Sequence, residues 1–187
     1  IARRGIARTF QRVRLMPQIS VRDNVALGAW LRGSAGVLRA GLRLDRRSGD
    51  GLEVLIGHPG GPFWARKDEG AWSIPKGEYD PGEDPWDAAR REFAEELGCP
   101  APDGPRRELG TATQPSGKIL TVFAVAADLD LSDFRSNTFT LEWPKGSGRL
   151  REFPELDRVA WLPVPDARVK LLKGQRVFLD RLVARTG

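Results

Sequence analysis

The residues best suited to do chemistry in this chain of 187 residues are three glutamates in one short stretch, Glu92, Glu95 and Glu96. Glutamates three and four residues apart share one face of a helix, where each like-charged pair costs about 0.2–0.5 kcal/mol. A positive group is therefore expected to compensate them. Mg²⁺ is the natural choice because it prefers carboxylate oxygens together with substrate phosphates, and Mn²⁺ is the alternative ion.

The residues around these glutamates predict one helix that positions them. Asp84 is expected to cap the N-terminus of this helix with Pro85 at its first position, and Gly98 is expected to end it. Its buried stripe is predicted from apolar residues spaced four apart: Ala89, Phe93 and Leu97. One amphipathic helix therefore carries the candidate chemistry.

Short strands and two further helices account for the rest of the chain. A polar turn at 46–51 lies between two apolar runs and predicts a hairpin. The other predicted strands are 72–74, 108–112, 119–127, 138–143 and 159–162, and the predicted helices are 165–172 and 175–183. Strands that alternate with helices in this way predict an α/β layered domain.

Charge is unevenly distributed along the chain, whose formal net charge is +5. Residues 1–40 contain eight Arg and one Asp, a charge of +7, whereas residues 41–187 contain 22 basic and 24 acidic residues, a charge of −2. A basic average usually indicates nucleic acid or an anionic membrane as partner. Here the excess belongs to the N-terminal segment, so we predict a basic appendage at 1–40 and a nearly neutral domain at 41–187.

The appendage resembles a piece of the ATP-binding subunits of branched-chain amino-acid ABC transporters. Its sequence GIARTFQ ends at Gln11, which matches the glutamine of the Q-loop, and a short helix is predicted to follow. The rest of the chain has neither a GxxxxGK[ST] phosphate loop nor an LSGGQ signature. We therefore interpret residues 1–40 as a remnant, fusion or boundary artefact and not as a complete ATPase domain.

The single cysteine and the single histidine of the chain, Cys99 and His58, exclude several function classes. They leave no internal disulfide framework and no Cys/His zinc site, and they favour a reducing, cytoplasmic setting. His58 is expected to be structural because Pro59 and Gly60 follow it. The absence of a run of about 18 apolar residues predicts no membrane insertion.

The stretch from Gly77 to Cys99 has the residues of the Nudix box in their fixed order and spacing. All charged and glycine positions of the box match: Gly77, Glu83, Arg91, Glu92, Glu95, Glu96 and Gly98. Only Cys99 departs, because the family usually has an aliphatic residue there, and a cysteine is still small and apolar. The chain from about residue 41 to 185 is thus identified as a Nudix hydrolase by resemblance.

This resemblance implies a Nudix-type α/β/α sandwich with a mixed sheet and a catalytic helix. It also implies that water cleaves a pyrophosphate bond in a nucleoside diphosphate linked to another group, so the partner is a small-molecule nucleotide. The sequence WSIPKG, which ends at Gly77, resembles the lead-in of relatives that act on dinucleoside polyphosphates, diphosphoinositol phosphates and some nucleoside triphosphates. A dinucleoside polyphosphate or an NTP-like substrate is therefore favoured.

Within this interpretation the catalytic residues are expected to be Arg91, Glu92, Glu95, Glu96 and Glu152. The three helical glutamates would hold Mg²⁺, and a backbone carbonyl near Gly77 would add a ligand because glycine lets the loop approach closely. Arg91 is expected to orient the glutamates through charge-assisted hydrogen bonds. Glu92 is also a candidate for activating the water.

Further candidates are weighed against a structural role. Lys76, Arg66 and Lys67 are the predicted phosphate contacts, although surface cations are commonly only solvated. Glu152, in a predicted loop at 151–155, is a candidate general base or extra metal ligand. Three tryptophans could stack on a base or pack in the core: Trp64, Trp72 and Trp143.

Two functions from other classes stay open at this point. The first is a catalytically weak Nudix-like module that binds a nucleotide or RNA and uses the basic N-terminal arm, an alternative that the division of charge disfavours. The second makes residues 1–40 a transporter-associated element. The sequence does not choose between leaving groups or oligomeric states.

Overall fold

The computed structural model describes residues 38–49 and 51–186. The predicted N-terminal appendage and its helix therefore lie outside the described residues, except for Leu38–Ala40, which form the start of the first strand. Among the described residues, no helix combines the length and the apolar composition that crossing a lipid bilayer requires.

A mixed sheet of six strands forms the centre of the fold, and a separate pair of strands lies beside it. The strands of the main sheet are β1 (Leu38–Ser48), β2 (Gly51–Pro59), β3 (Lys76–Glu78), β4 (Arg107–Thr113), β5 (Ile119–Ala126) and β8 (Leu156–Pro163). Their order is β4-β5-β1-β2-β8, with β3 paired to β1, and only the β1–β5 pair is parallel. The predicted mixed sheet is thus confirmed.

The separate pair of strands consists of β6 (Thr138–Glu142) and β7 (Leu150–Pro154), joined as an antiparallel hairpin. The sequence predicts β6 but assigns 151–155 to a loop, and that assignment is wrong for β7. The run Leu150–Pro154 has no regular alternation of apolar and polar residues, and it becomes a strand because every one of its residues pairs with a residue of β6. Strand pairing of this kind overrides local propensity.

Three helices cover the sheet: α1 (Pro85–Leu97), α2 (Val164–Lys170) and α3 (Arg176–Thr186), with a short 3₁₀ turn at Lys173–Gln175 before α3. Asp84 caps α1, because its carboxylate accepts hydrogen bonds from the backbone N–H groups of Trp86 at 2.8 Å and Asp87 at 3.3 Å. Gly98 ends α1 with a left-handed φ of 75°. Both predicted helix ends are confirmed.

The two faces of the sheet carry separate apolar cores. On one face, Leu42 and Leu44 of β1 pack with the predicted stripe of α1: Ala89, Phe93 and Leu97. On the other face, Val122 and Ala124 of β5 pack with three residues of α3: Phe178, Leu179 and Leu182. The predicted α/β/α sandwich is confirmed.

Strand β1 has two antiparallel partners, and this division builds the site. Its C-terminal half forms the predicted hairpin with β2, closing at the pair Ser48 and Gly51. Its N-terminal half pairs with β3, where Ala40 lies opposite Gly77. Because α1 packs on the same strand, Gly77 is brought against the acidic face of the helix.

Candidate active site

Two of the three helical glutamates turn toward β3, and one faces outward. The side chain of Glu92 is 13% exposed, whereas that of Glu95 is 53% exposed. Glu96 accepts a hydrogen bond from the backbone N–H of Lys76 at 3.2 Å. The helix period predicted from sequence therefore puts Glu92 and Glu96 on one side of α1, and their contact with β3 comes from the fold.

Gly77 makes room for the carboxylate of Glu92. A Cβ atom at position 77 would overlap that carboxylate and leave it no place to lie. The backbone of Gly77 cannot move aside easily, because it pairs with Ala40 of β1. The close approach that sequence reasoning expects of Gly77 is thus directed at a glutamate of the helix.

Arg91 connects the loop before the helix to the acidic face. Its guanidinium donates to Glu83 at 3.2 Å and to the backbone carbonyl of Glu78 at 3.3 Å. It also donates to Glu92 and lies 3.6 Å from a carboxylate oxygen of Glu95. Arg91 is therefore placed where an orienting residue would be, and Glu83 anchors the loop to it.

Burial makes the carboxylates on the inner side of α1 easier to protonate. It raises the pKa of Glu92, although the hydrogen bond and charge of Arg91 oppose the rise. It raises the pKa of Glu96 to about 7, against the lowering effect of Lys76. Neighbouring carboxylates add to both rises, so the acids repel one another despite the charges of Arg91 and Lys76.

Glu155 is a fourth carboxylate of this group. Burial first, and then the negative charge of Glu95, raise the pKa of Glu155, and its own charge raises the pKa of Glu92 and Glu96. Its backbone is held on both sides: its N–H donates to Asn137 at 2.7 Å and its carbonyl accepts from Gly60 at 2.9 Å. The fold therefore fixes Glu155 near the acidic face of α1.

Glu152, the residue chosen from sequence, lies elsewhere. It is exposed in β7 and accepts a hydrogen bond from the hydroxyl of Thr138 in the paired strand β6. Glu155 lies three residues further along the chain, in the bend between β7 and β8 and therefore outside the strand that holds Glu152. The structure thus brings Glu155 to the acidic group and leaves Glu152 exposed on the hairpin of β6 and β7.

Three cations lie beside the acids. Burial lowers the pKa of Lys76, while Glu96 opposes this effect and the positive charges of Arg39 and Lys118 add to it. Arg39 and Lys118 both contact the carboxylate of Glu78, at 3.2 Å and 3.3 Å. Sequence spacing predicts Lys76 but neither of the other two, because Arg39 falls in the predicted appendage and only the sheet register brings Arg39 and Lys118 to this place.

The two other predicted phosphate contacts are in a different environment. Arg66 and Lys67 are exposed in the loop after β2, and the ammonium of Lys67 lies 4.8 Å from the ring centre of Trp64. His58 is fully buried, with its ring nitrogens 2.6 Å from the carboxylate of Asp157 and 2.7 Å from the carbonyl of Lys67. It holds the start of this loop in place, as a structural histidine would.

The donor chemistry fits a hard divalent cation. Within the part of the chain that the structure describes, no three acidic, histidine or cysteine side chains are gathered closely enough around one point to hold an ion. Yet the acidic group consists only of carboxylates, the ligands that Mg²⁺ prefers, and a cation would offset the like charges that help to raise the pKa of Glu92 and Glu96.

Comparison with known proteins agrees with the fold and the motif. The family model described as the NUDIX domain matches residues 42–182. The fold is similar to that of the Ap4A hydrolase of C. elegans in a binary complex, with a TM-score of 0.51, 22% identity and coverage of 80% of this chain and 96% of that one.

Two further solved structures share the fold. The NUDIX domain of Shewanella oneidensis NrtR, complexed with ADP ribose, has a TM-score of 0.56 at 15% identity, over 90% of this chain and all of that chain (100%). A mutT/nudix family protein from Listeria innocua has a TM-score of 0.53 at 18% identity, over 80% of this chain and 92% of that one. With the motif, the family model and the fold in agreement, the chain belongs to the NUDIX family and is a Nudix-type pyrophosphohydrolase.

Proposed function

We propose that this protein uses Mg²⁺ to hydrolyse the pyrophosphate bond of a nucleoside diphosphate linked to another group, with a dinucleoside polyphosphate or a nucleoside triphosphate as the favoured substrate. The observation that carries this proposal is the meeting of acids and cations at the β1–β3 edge. Glu92 and Glu96 face β3, Glu155 lies near them, and Lys76 adjoins Glu96.

Enzymes of this family generally use a divalent metal ion, and Glu92, Glu95 and Glu96 would hold it here, with a backbone carbonyl near Gly77. When bound, Mg²⁺ would neutralise phosphate charge and lower the pKa of a coordinated water. Arg91 would keep Glu92 and Glu95 in orientation, because it contacts both carboxylates. Mn²⁺ is the alternative ion, as its ligand preferences are similar.

Glu155 is the proposed general base. Its pKa is raised by burial and by Glu95, which brings it closer to neutral pH, where proton transfer from water is most effective. No hydrogen bond from the described residues engages its carboxylate, whereas the carboxylate of Glu92 is held by Arg91. Glu155 is thus free to accept a proton, and Glu92 is better suited to the metal.

Arg39, Lys76 and Lys118 are the proposed phosphate contacts. The charges of Arg39 and Lys118 act on Lys76, and Glu78 contacts Arg39 and Lys118. A substrate phosphate could replace Glu78 as the partner of Arg39 or Lys118, since a guanidinium or ammonium binds phosphate oxygens strongly. Arg66 and Lys67 stay as proposed contacts for a more distant part of the substrate.

An exposed aromatic pair supports a substrate that carries a base. Phe63 is 60% exposed, and its ring meets that of Trp143 edge to face with the ring centres 5.4 Å apart. Phe63 follows Gly60, which binds the backbone of Glu155, by three residues. A planar nucleobase stacks on such a surface, whereas an inositol ring has no aromatic face. This favours nucleotides over diphosphoinositol phosphates.

The proposed catalytic domain comprises residues 41–187, with residues 1–40 as a basic appendage and the cytoplasm as the location. The match of the family model to residues 42–182 supports the first part of this division. A single cysteine among 187 residues supports the reducing location.

A substrate screen tests the proposed function. Purified protein is incubated with diadenosine tetraphosphate, (d)NTPs, ADP-ribose and a diphosphoinositol phosphate, with Mg²⁺ or with EDTA, and products are separated by ion-exchange chromatography. We expect Mg²⁺-dependent release of nucleotide from a dinucleoside polyphosphate or an NTP, and loss of turnover in Glu95→Gln. A folded protein that turns over none of these substrates would contradict the proposal.

A further inference from the structure

A polar cavity lies at the end of β1 far from the candidate active site. Its volume is about 320 Å³, and its lining includes Asp45, Arg46, Arg47, Arg107, Arg185 and Thr186. These residues come from the end of β1, the start of β4 and the end of α3. Arg39, beside the active site, and Arg47 are eight residues apart on one strand, which separates the two places by roughly 26 Å.

The lining of this cavity carries more positive charge than its own carboxylate can neutralise. Asp45 forms an ion pair with Arg107. The guanidinium of Arg46 is already paired, at 2.8 Å with Glu53 and 2.6 Å with Asp128. Two exposed arginines of the lining then have no carboxylate partner in the described part of the chain: Arg47 and Arg185. Among the described residues, the side chain of Arg47 forms one hydrogen bond, to the backbone carbonyl of Thr186 at 2.5 Å.

A buried arginine adds further positive charge beside the lining of the cavity. Arg43 is fully buried, and none of its three guanidinium nitrogens has a hydrogen-bond partner among the described residues. It points to the same side of β1 as Asp45 and Arg47, because alternate residues of a strand share a face. Burial lowers the pKa of Arg43 to about 9, against the opposing charge of Asp45, so it is still charged at neutral pH.

The excess positive charge of these arginines favours the binding of a multiply charged anion. An unpaired buried charge is costly, and a nearby anion would reduce that cost. Guanidinium groups present their N–H donors in a planar fork that matches the oxygens of phosphate. We propose that this cavity is a second binding site, separate from the metal centre, for an anionic phosphate group, held by Arg47 and Arg185 against the positive field of Arg43 and Arg107.

Binding without divalent metal tests this site, because the proposed active site depends on metal and the cavity does not. Inorganic pyrophosphate and, separately, ADP are titrated into the full chain in EDTA by isothermal titration calorimetry. Four variants are compared with the wild type: the double variant Arg47→Ala/Arg185→Ala, the single variant Arg185→Glu, Arg149→Glu as a charge-matched control, and Lys118→Ala at the proposed active site. Arg149 is an exposed arginine between β6 and β7, two strands that contribute no residue to the lining of the cavity.

We expect the double variant and Arg185→Glu to raise Kd by about tenfold or more for both probes, because each arginine provides a charge-assisted contact. Arg149→Glu should bind as the wild type does. Tighter binding of pyrophosphate would assign the site to an inorganic phosphate, and tighter binding of ADP to the phosphates of a nucleotide. Circular dichroism checks folding, and Arg185→Glu retains Arg47, whose side chain donates to the carbonyl of Thr186.

Two results would overturn the inference. The first is the absence of metal-free binding of both probes to the folded wild-type protein. The second is binding that survives in the double variant but is lost in Lys118→Ala, which would move the anion to the active site. Neither result depends on whether the protein hydrolyses a pyrophosphate bond, so failure of this inference and failure of the proposed function are distinguishable.

Discussion

The carboxylate of Glu92 lies in the space that a side chain at Gly77 would fill. The two residues are 15 positions apart along the chain, yet β3 and α1 bring them into contact. Glycine at position 77 therefore serves the helix as much as its own strand. The orientation of Glu92, and with it the proposed metal site, depends on this absence of a side chain.

Substitution Gly77→Ala should displace Glu92 and impair catalysis. The added methyl group overlaps the carboxylate, and a shift of about 1 Å in a catalytic group can reduce the rate by about 100-fold. Kinetics with the best substrate of the screen and a Mg²⁺ titration measure the effect. Gly49→Ala is the matched control, because a Cβ atom there meets nothing within 4 Å. Equal activity of both variants would contradict the proposed role.

Glu155→Gln and Glu152→Gln should differ strongly. Removal of a general base lowers the rate by about 10²–10⁴-fold, so kcat should fall by that amount in Glu155→Gln while its Tm stays near that of the wild type. Glu152→Gln should keep kcat within about twofold, since an exposed residue away from the acids makes a small contribution. Steady-state kinetics at saturating Mg²⁺ decide the matter. The reverse order would assign the base to Glu152.

The stability of the metal-free protein should depend on pH through Glu96. Its pKa is about 7 in the folded protein and about 4.5 when unfolded, so the folded state holds the extra proton between these values and stability falls as pH rises through this range. The variant Glu96→Gln should lack this component. Thermal unfolding in EDTA from about pH 4.5 to about pH 8 measures it. Mg²⁺ should reverse the loss, as it binds the charged form. A constant difference between the wild type and Glu96→Gln would oppose this prediction.

Arg91 should act by positioning and not by contact with substrate. Arg91→Ala frees both Glu83 and Glu92 and should weaken Mg²⁺ binding by about 10–100-fold, as is typical of residues that orient metal ligands. Arg91→Lys should recover only part of this affinity, because an ammonium cannot form the same fork. Glu83→Gln removes one contact of Arg91 and should have the smaller effect. An increase in KM alone, with unchanged Mg²⁺ affinity, would instead indicate substrate binding.

The aromatic pair should discriminate ligands that carry a base. Phe63→Ser should raise the inhibition constant of AMP by about tenfold, because stacking contributes about 1–3 kcal/mol per base, and leave that of inorganic phosphate unchanged. Val169→Ala is the control, since Val169 is apolar and 47% exposed but lies on α2. Equal changes for AMP and phosphate would place the effect on the phosphate site.

Short-range interactions account for what the sequence predicted correctly. The limits of α1 follow from Asp84, Pro85 and Gly98, each of which acts within one helical turn. The shared face of Glu92, Glu95 and Glu96 follows from the period of the helix alone. The hairpin between β1 and β2 follows from a polar turn between apolar runs. These features could be derived because the residues that decide them are neighbours in the chain.

Tertiary structure alone decided which residues join the acidic group from elsewhere. Glu155 is brought to it because β7 pairs with β6 and because Gly60 holds its backbone, contacts between segments distant in sequence. In a strand, a shift of one residue reverses the direction of every side chain, so Glu152 could not be separated from Glu155 until the pairing was known. Arg39 and Lys118 meet at Glu78 for the same reason, since sheet register and not sequence spacing brings them together.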